Sequence, residues 1–405
     1  MSTHRHGPGR REFVAMVALV MAVNALAIDI VLPAMLAIGE HFATTGNNDH
    51  QFIITAYLLF FGIGQLLFGT LADVFGRKPV ILAGLALYGL AALIAPMAGD
   101  FSTLLVLRAV SGLGAAAARV GVIAVVRDAF SGREMAAVMS VVMMVFMAVP
   151  IFAPSVGQLI MLFAEWQQVF QVMAVLAIGL IVWVHFRLNE TLATDSRKRL
   201  NITDTMNAFR LVLSTRRSIG YSLAQSLFFG SLFGFVNTAQ QIYVGIYDVG
   251  AAFPLYFSAG GLAICFSNLV NANIVRRLGM RRISHSALTA FFIATSVLTL
   301  LSLYLPGGLP LWLFVSGLSF SFAALGLIGT NFNAIAMEPL GDVAGTAASV
   351  FGFIQIAGSA IIGAIIGQTY AGTTTPVLFG FVICSVVSFA MVYWAERGKL
   401  FRERS

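Results

Sequence analysis

The chain has 405 residues, 59% of them hydrophobic and only 10% charged, with a mean hydropathy of +0.90 and a formal net charge of +7. So little polar surface cannot cover a water-soluble globule of this size, and the composition specifies a polytopic membrane protein. A basic excess would suit nucleic acid, but the positions of the basic residues, taken up below, make it a topology signal and exclude that partner.

Apolar runs recur about every 30 residues, and most approach or exceed the roughly 20 residues that a helix needs to cross the hydrocarbon core. Spans are expected at 12–37, 51–72, 78–97, 102–126, 135–163, 166–186, 218–245, 252–275, 283–305, 310–336, 343–369 and 376–395, twelve in all. The runs lack the alternation of barrel strands. The first is too long, and without a small-residue cleavage site, to read as a removable signal. Outside the spans, every Lys and Arg falls at the N-terminus, where Arg5, Arg10 and Arg11 sit, in an even-numbered loop, or at the C-terminus. Loops 38–50 and 246–251 hold none. Both termini are therefore expected in the cytoplasm, which requires an even number of crossings. The fold class is an all-α membrane protein.

Span 1 carries Asp29 inside the run Asn24 to Pro33. A carboxylate at that depth is costly and usually faces a polar cavity or an ion path. Span 2 ends in a tight turn, Gly69-Thr70-Leu71-Ala72-Asp73-Val74-Phe75-Gly76-Arg77-Lys78-Pro79. Glycine there permits close approach of the flanking helices, and proline suits the first turn of the next. A second copy follows span 8, Ile274 to Ile283, with Gly279 opposite Gly76 and an offset of 203 residues. Two six-helix bundles related by a parallel repeat are the economical reading, over 1–186 and 218–405. The linker 187–217 carries Arg197-Lys198-Arg199, and the spacing of Ile202, Met206, Phe209 and Leu213 suggests a surface-lying amphipathic helix.

Span 4 holds Arg108 and Arg119. At about 1.5 Å per residue Asp29 lies roughly 25 Å along its helix, and Arg108 about 9 Å below the opposite end of span 4, at nearly the same level. The two can pair if their helices are neighbours, either as a coupling site or as a static ion bridge that fixes packing. Arg119 lies about 10 Å from the cytoplasmic end, where it can snorkel or contact substrate. Burial disfavours a charged carboxyl and a nearby guanidinium favours it, so a ligand that displaces water or competes with Arg108 would move the Asp29 proton. Span 5 contains Pro150, Pro154 and Gly157, a pattern for a kink or a conformational element. Tyr57 and Gln65 in span 2, Asn237, Gln240, Gln241 and Tyr243 in span 7, and Asn331 and Asn333 in span 10 are the polar candidates for a substrate cavity. Each could equally join two helices by hydrogen bonds.

No catalytic set is evident. The histidines at 4, 6, 41, 50, 185 and 285 lie in loops or near span ends, and Cys265 and Cys384 sit inside spans as small core residues, supporting neither a disulfide nor a metal site. Asn189-Glu190-Thr191 and Asn201-Ile202-Thr203 match the glycosylation pattern by chance, in a loop expected on the cytoplasmic side. No phosphate-binding glycine-lysine loop occurs, so neither ATP use nor a cofactor is expected, and any driving energy would come from a gradient, a substrate's own or another.

Four segments carry a resemblance: Asp29 to Pro33, Gly69 to Pro79, Leu107 to Gly114 running on to Val126-Arg127-Asp128, and Met337 to Ala347. With them the chain resembles the major facilitator superfamily, and within it the twelve-span drug:proton antiporters of the bicyclomycin and chloramphenicol resistance type. The resemblance implies a multi-pass protein of the bacterial inner membrane. It would export small, mostly hydrophobic compounds against inward proton flow, with spans 1, 4, 7 and 10 around a midplane cavity. It further implies that Gly69, Asp73, Gly76 and Arg77, with Arg127 and Asp128 as partners, form a cytoplasmic gate. Small-molecule substrate, protons and lipid would be the partners, with no obligate protein partner and a monomeric state. Two departures stand out: Arg276 replaces the acid found at Asp73, and Gly157-Gln158 stands where a glycine pair is expected. Export of a cellular metabolite, or a sensor role, remain alternatives.

Overall fold

The computed structural model describes residues 8–44, 46, 48–192 and 202–401. Arg5, His4, His6, Arg197-Lys198-Arg199 and Asn201 therefore lie outside the described residues. In chain order the helices are α1 (Arg10–Asp29), α2 (Met35–His41), α3 (Phe52–Phe75), α4 (Arg77–Ile94), α5 (Phe101–Ala129), α6 (Gly132–Phe163), α7 (Trp166–Arg187), α8 (Ile202–Ser214), α9 (Arg216–Gln240), α10 (Phe253–Leu278), α11 (Met280–Tyr304), α12 (Leu311–Met337), α13 (Ala344–Gln368) and α14 (Thr375–Ala395). Among the described residues there is no strand, and twelve stretches are long and apolar enough to cross a membrane, from Arg10–His41 to Thr375–Ala395.

The first span is not the single helix its hydropathy suggests. Pro33 has no N–H to give the carbonyl of Asp29 four residues earlier, and its ring crowds that carbonyl. Accordingly α1 stops at Asp29, a 3₁₀ turn covers Leu32–Ala34, and α2 carries the chain on to His41. In contrast, α6 runs unbroken through Pro150 and Pro154. The tight turns of the repeat share one backbone device. Gly76 and Gly279 have φ of 103° and 78°, values that side chains oppose, and each directly precedes a helix, α4 and α11.

The chain divides into two compact units, Met1–Phe42 with Ala56–Ile202, and Ala43–Thr55 with Thr203–Ser405. In the first, α4 packs on α5 and α7, and α1 on α5 and α6. In the second, α9 packs against α12, α13 and α14, while α12 also contacts α10 and α11. Amides explain why Ala43–Thr55 belongs to the second unit. Asn48 Nδ2 donates to the Tyr370 carbonyl at 2.9 Å, Gln368 Nε2 to the Asn48 carbonyl at 2.9 Å, and Gln51 Nε2 to Gln241 Oε1 at 2.7 Å. Nothing in the repeat indicates that attachment.

Candidate functional site

The site starts at the break behind α1. Asp29 is its last residue and is only 6% exposed. Helix α6 can lie against this break because Gly157 has no side chain: a Cβ there would collide with the Ile30 carbonyl oxygen and sit 3.2 Å from Pro33 Cδ. On the other side comes α5. Its first turn is fixed by Asp100, which accepts from the Thr103 backbone N–H and from Thr103 Oγ1, both at 2.8 Å. Those two bonds hold the Asp100 carboxyl below the usual carboxylate range.

Two turns into α5, Arg108 is 1% exposed. Its Nη2 donates to the Ala27 carbonyl at 2.9 Å, and its guanidinium lies 4.6 Å from the Tyr57 ring centre and 5.9 Å from that of Phe170. Arg108 thus reaches α1 two residues before Asp29. Among the described residues, however, no ion pair joins Asp29 to Arg108, and the expected direct bridge is replaced by a backbone contact flanked by aromatic faces. Tyr57 in turn donates to Asn24 Oδ1 at 2.9 Å, which fixes α3 on α1. Tyr88 is fully buried on α4, and its hydroxyl has no hydrogen-bond partner among the described residues.

Tyr57, Phe61 and Gln65 share a face of α3, four residues apart. Gln65 is buried. The guanidinium of Arg119 lies 5.6 Å from the Phe61 ring centre and 5.7 Å from that of Phe146, and its Nε is buried without a hydrogen-bond partner. Arg108 beside Tyr57 and Phe170 and, about 16 Å further along α5, Arg119 beside Phe61 and Phe146 set two guanidiniums against aromatic faces inside an apolar bundle.

The candidates of the second unit do not form one cluster. Gln241 donates to Asn48 Oδ1 at 2.9 Å, and Tyr243 is embedded among Phe235, Phe253 and Phe314. Asn237 and Gln240 are buried on α9. Asn331 donates to Asn271 Oδ1 at 2.8 Å and so ties α12 to α10. Asn333, about 200° further round α12, is exposed and shares no face with it.

The turn after α3 is an ion network. Arg77, 4% exposed, donates from Nη1 to Asp73 Oδ1 at 2.6 Å and from Nε to Asp128 Oδ2 at 3.0 Å. Arg127 is exposed and enters no ion pair among the described residues, and a further carboxylate, Glu190, joins the turn. Its Oε1 and Oε2 accept from the backbone N–H groups of Arg77 and Lys78 at 3.0 and 3.2 Å, capping α4. The second unit has its own network. Arg281 bonds Glu396 at 3.0 Å and Glu338 at 3.1 Å, Arg217 also reaches Glu338, and Tyr221 bridges Glu396 to His285.

Residues 17–367 match the sequence profile described as Major Facilitator Superfamily. Among named relatives, a bicyclomycin resistance protein homolog of Haemophilus influenzae is 30% identical over 94% of this chain and 95% of its own length. The multidrug resistance protein MdtL of Citrobacter koseri is 29% identical over 84% of each chain. Among solved structures, a D-xylose-proton symporter superposes with a TM-score of 0.74 at 12% identity, covering 96% of this chain and 99% of its own. A peptide transporter superposes with a TM-score of 0.75 at 15% identity, covering 98% and 96%. At those identities the likeness is one of fold.

Proposed function

Because the chain belongs to the Major Facilitator Superfamily, and is a transporter of small molecules and not an enzyme, we propose that it expels small, mostly hydrophobic toxic compounds across the bacterial inner membrane in exchange for protons, by alternating access. The observation that carries the proposal is Asp29, a buried carboxyl at the end of a broken membrane helix, two residues beyond the carbonyl held by the buried Arg108 guanidinium. Drug efflux is further supported by relatives named for bicyclomycin and multidrug resistance. In this reading Asp29 carries the proton, Arg108 and Tyr57 position it, and the aromatic rings around Arg108 and Arg119 offer apolar contact to the compound. The basic residues of the even-numbered loops support a cytoplasmic position for both termini in this reading. Accumulation of a fluorescent drug in cells with and without expression tests the reading. Expression should lower accumulation, and an uncoupler should abolish the difference. No difference across a broad panel of drugs would refute efflux, and a difference that persists with uncoupler would refute proton coupling.

A further inference from the structure

Two guanidiniums and two rings of the first unit form one chain of contacts. Arg108 lies 4.6 Å from the Tyr57 ring centre, Tyr57 stacks on Phe61 with ring centres 6.1 Å apart, and Phe61 meets the Arg119 guanidinium at 5.6 Å. The two ends differ. Arg108 donates to the Ala27 carbonyl. Arg119 makes no hydrogen bond and no ion pair among the described residues, and its Nε is buried. The acids at the two ends of α5 are engaged elsewhere, Asp100 with Thr103 and Asp128 with Arg77. A guanidinium stays charged and only donates, so an apolar bundle holds it at a cost until an acceptor pairs with it.

Snorkelling does not account for Arg119. Gly112, about two turns before it on α5, is where that helix meets Phe61: a Cβ on Gly112 would lie 3.0 Å from the Phe61 backbone N and collide with the Tyr57 carbonyl oxygen. To reach the fully buried Phe61 ring, the Arg119 side chain therefore runs back along α5, away from the Asp128 end of the helix. Phe146 of α6 stands against the same guanidinium at 5.7 Å. Arg119 and Phe146 are each partly accessible, so protein does not seal the charge. We infer that Arg119 is a specificity-determining residue for the transported compound. Its guanidinium edge takes a planar acidic group, a carboxylate, while the compound's aromatic body lies against Phe146. Among compounds of equal size and apolarity, acidic ones are then preferred over neutral ones, and neutral over cationic. The inference deepens the efflux reading and rests on that reading's placement of the compound beside Arg119.

The test measures binding of three probes that share one ring system, 1-naphthoate, 1-naphthamide and 1-naphthylmethylammonium, to the full-length protein in uncharged detergent at neutral pH. The unaltered protein should bind the naphthoate at least about tenfold more tightly than the amide, as expected for one charge-assisted hydrogen-bonded pair, and the ammonium most weakly. Arg119→Gln should bring the naphthoate down to the affinity of the amide and leave the amide unchanged. Arg119→Lys, which keeps the charge but not the planar fork, should retain part of the preference. An unchanged preference for naphthoate in Arg119→Gln overturns the inference, and so does an equal loss for naphthoate and amide, which would make Arg119 a packing residue. Equal binding of the three probes to the unaltered protein, tighter binding of the ammonium, or binding of none of them overturns it as well. Efflux is decided separately by the accumulation assay in cells, because that assay can fail while the naphthoate preference holds, and the preference can fail while efflux holds.

Discussion

Replacing Arg108 by lysine keeps the charge and removes the shape. The guanidinium bonds the Ala27 carbonyl and lies against Tyr57 and Phe170 at once, because its plane can present an N–H edge to α1 and a face to the rings. A charge-assisted hydrogen bond in such a site contributes about 1.5–3 kcal/mol, and a desolvated cation–π contact about 2 kcal/mol. An ammonium on a flexible stem can keep one of these well but not both, so Arg108→Lys should cost about 2 kcal/mol. That corresponds to a change of about thirtyfold in the population of the correctly placed charge. Two measurements follow from the same variant. Thermal unfolding in detergent should show the destabilisation, and drug-dependent proton movement in proteoliposomes should slow by at least about tenfold. If Arg108→Lys unfolds and transports like the unaltered protein, the clamp has no orienting role and the geometric reasoning fails.

Two further expectations concern packing around the site and the second network. Gly157→Ala places a methyl against the Ile30 carbonyl; overpacking should destabilise by about 1–3 kcal/mol, and because the strain falls beside Asp29, transport per folded molecule should fall as well, which a rate normalised to correctly folded protein would reveal. Glu396→Ala leaves Arg281, 3% exposed, with Glu338 alone. Breaking that buried pair should cost about 3 kcal/mol, read as a lowered unfolding midpoint, and a midpoint equal to that of the unaltered protein would show the network to be dispensable.

The twelve spans were legible because crossing a bilayer demands long apolar runs, and the two-bundle reading because Gly76 and Gly279 mark equivalent turns. The break after Asp29 was equally present in the sequence, since Pro33 stands four residues on, but hydropathy averages over a window and does not register a lost hydrogen bond. Asn24 and Tyr88 carried no signal: a single polar group in an apolar helix reads the same whether it joins two helices or faces a cavity. Glu190 was visible only as part of a chance glycosylation match. Its role depends on the linker folding back to α4, a long-range contact that no local pattern encodes. Arg108 was placed at the right level by helix rise alone, yet rise says nothing about which α1 atom the guanidinium meets, and it meets the Ala27 carbonyl.

Asp29→Asn, reconstituted in proteoliposomes, bears most directly on the central claim. The amide nearly preserves the volume of the buried side chain and removes its capacity to carry a proton. Drug-dependent proton movement should disappear while the protein stays folded and the compound still binds. Undiminished proton movement in that variant would show Asp29 to be a packing residue and would contradict the account.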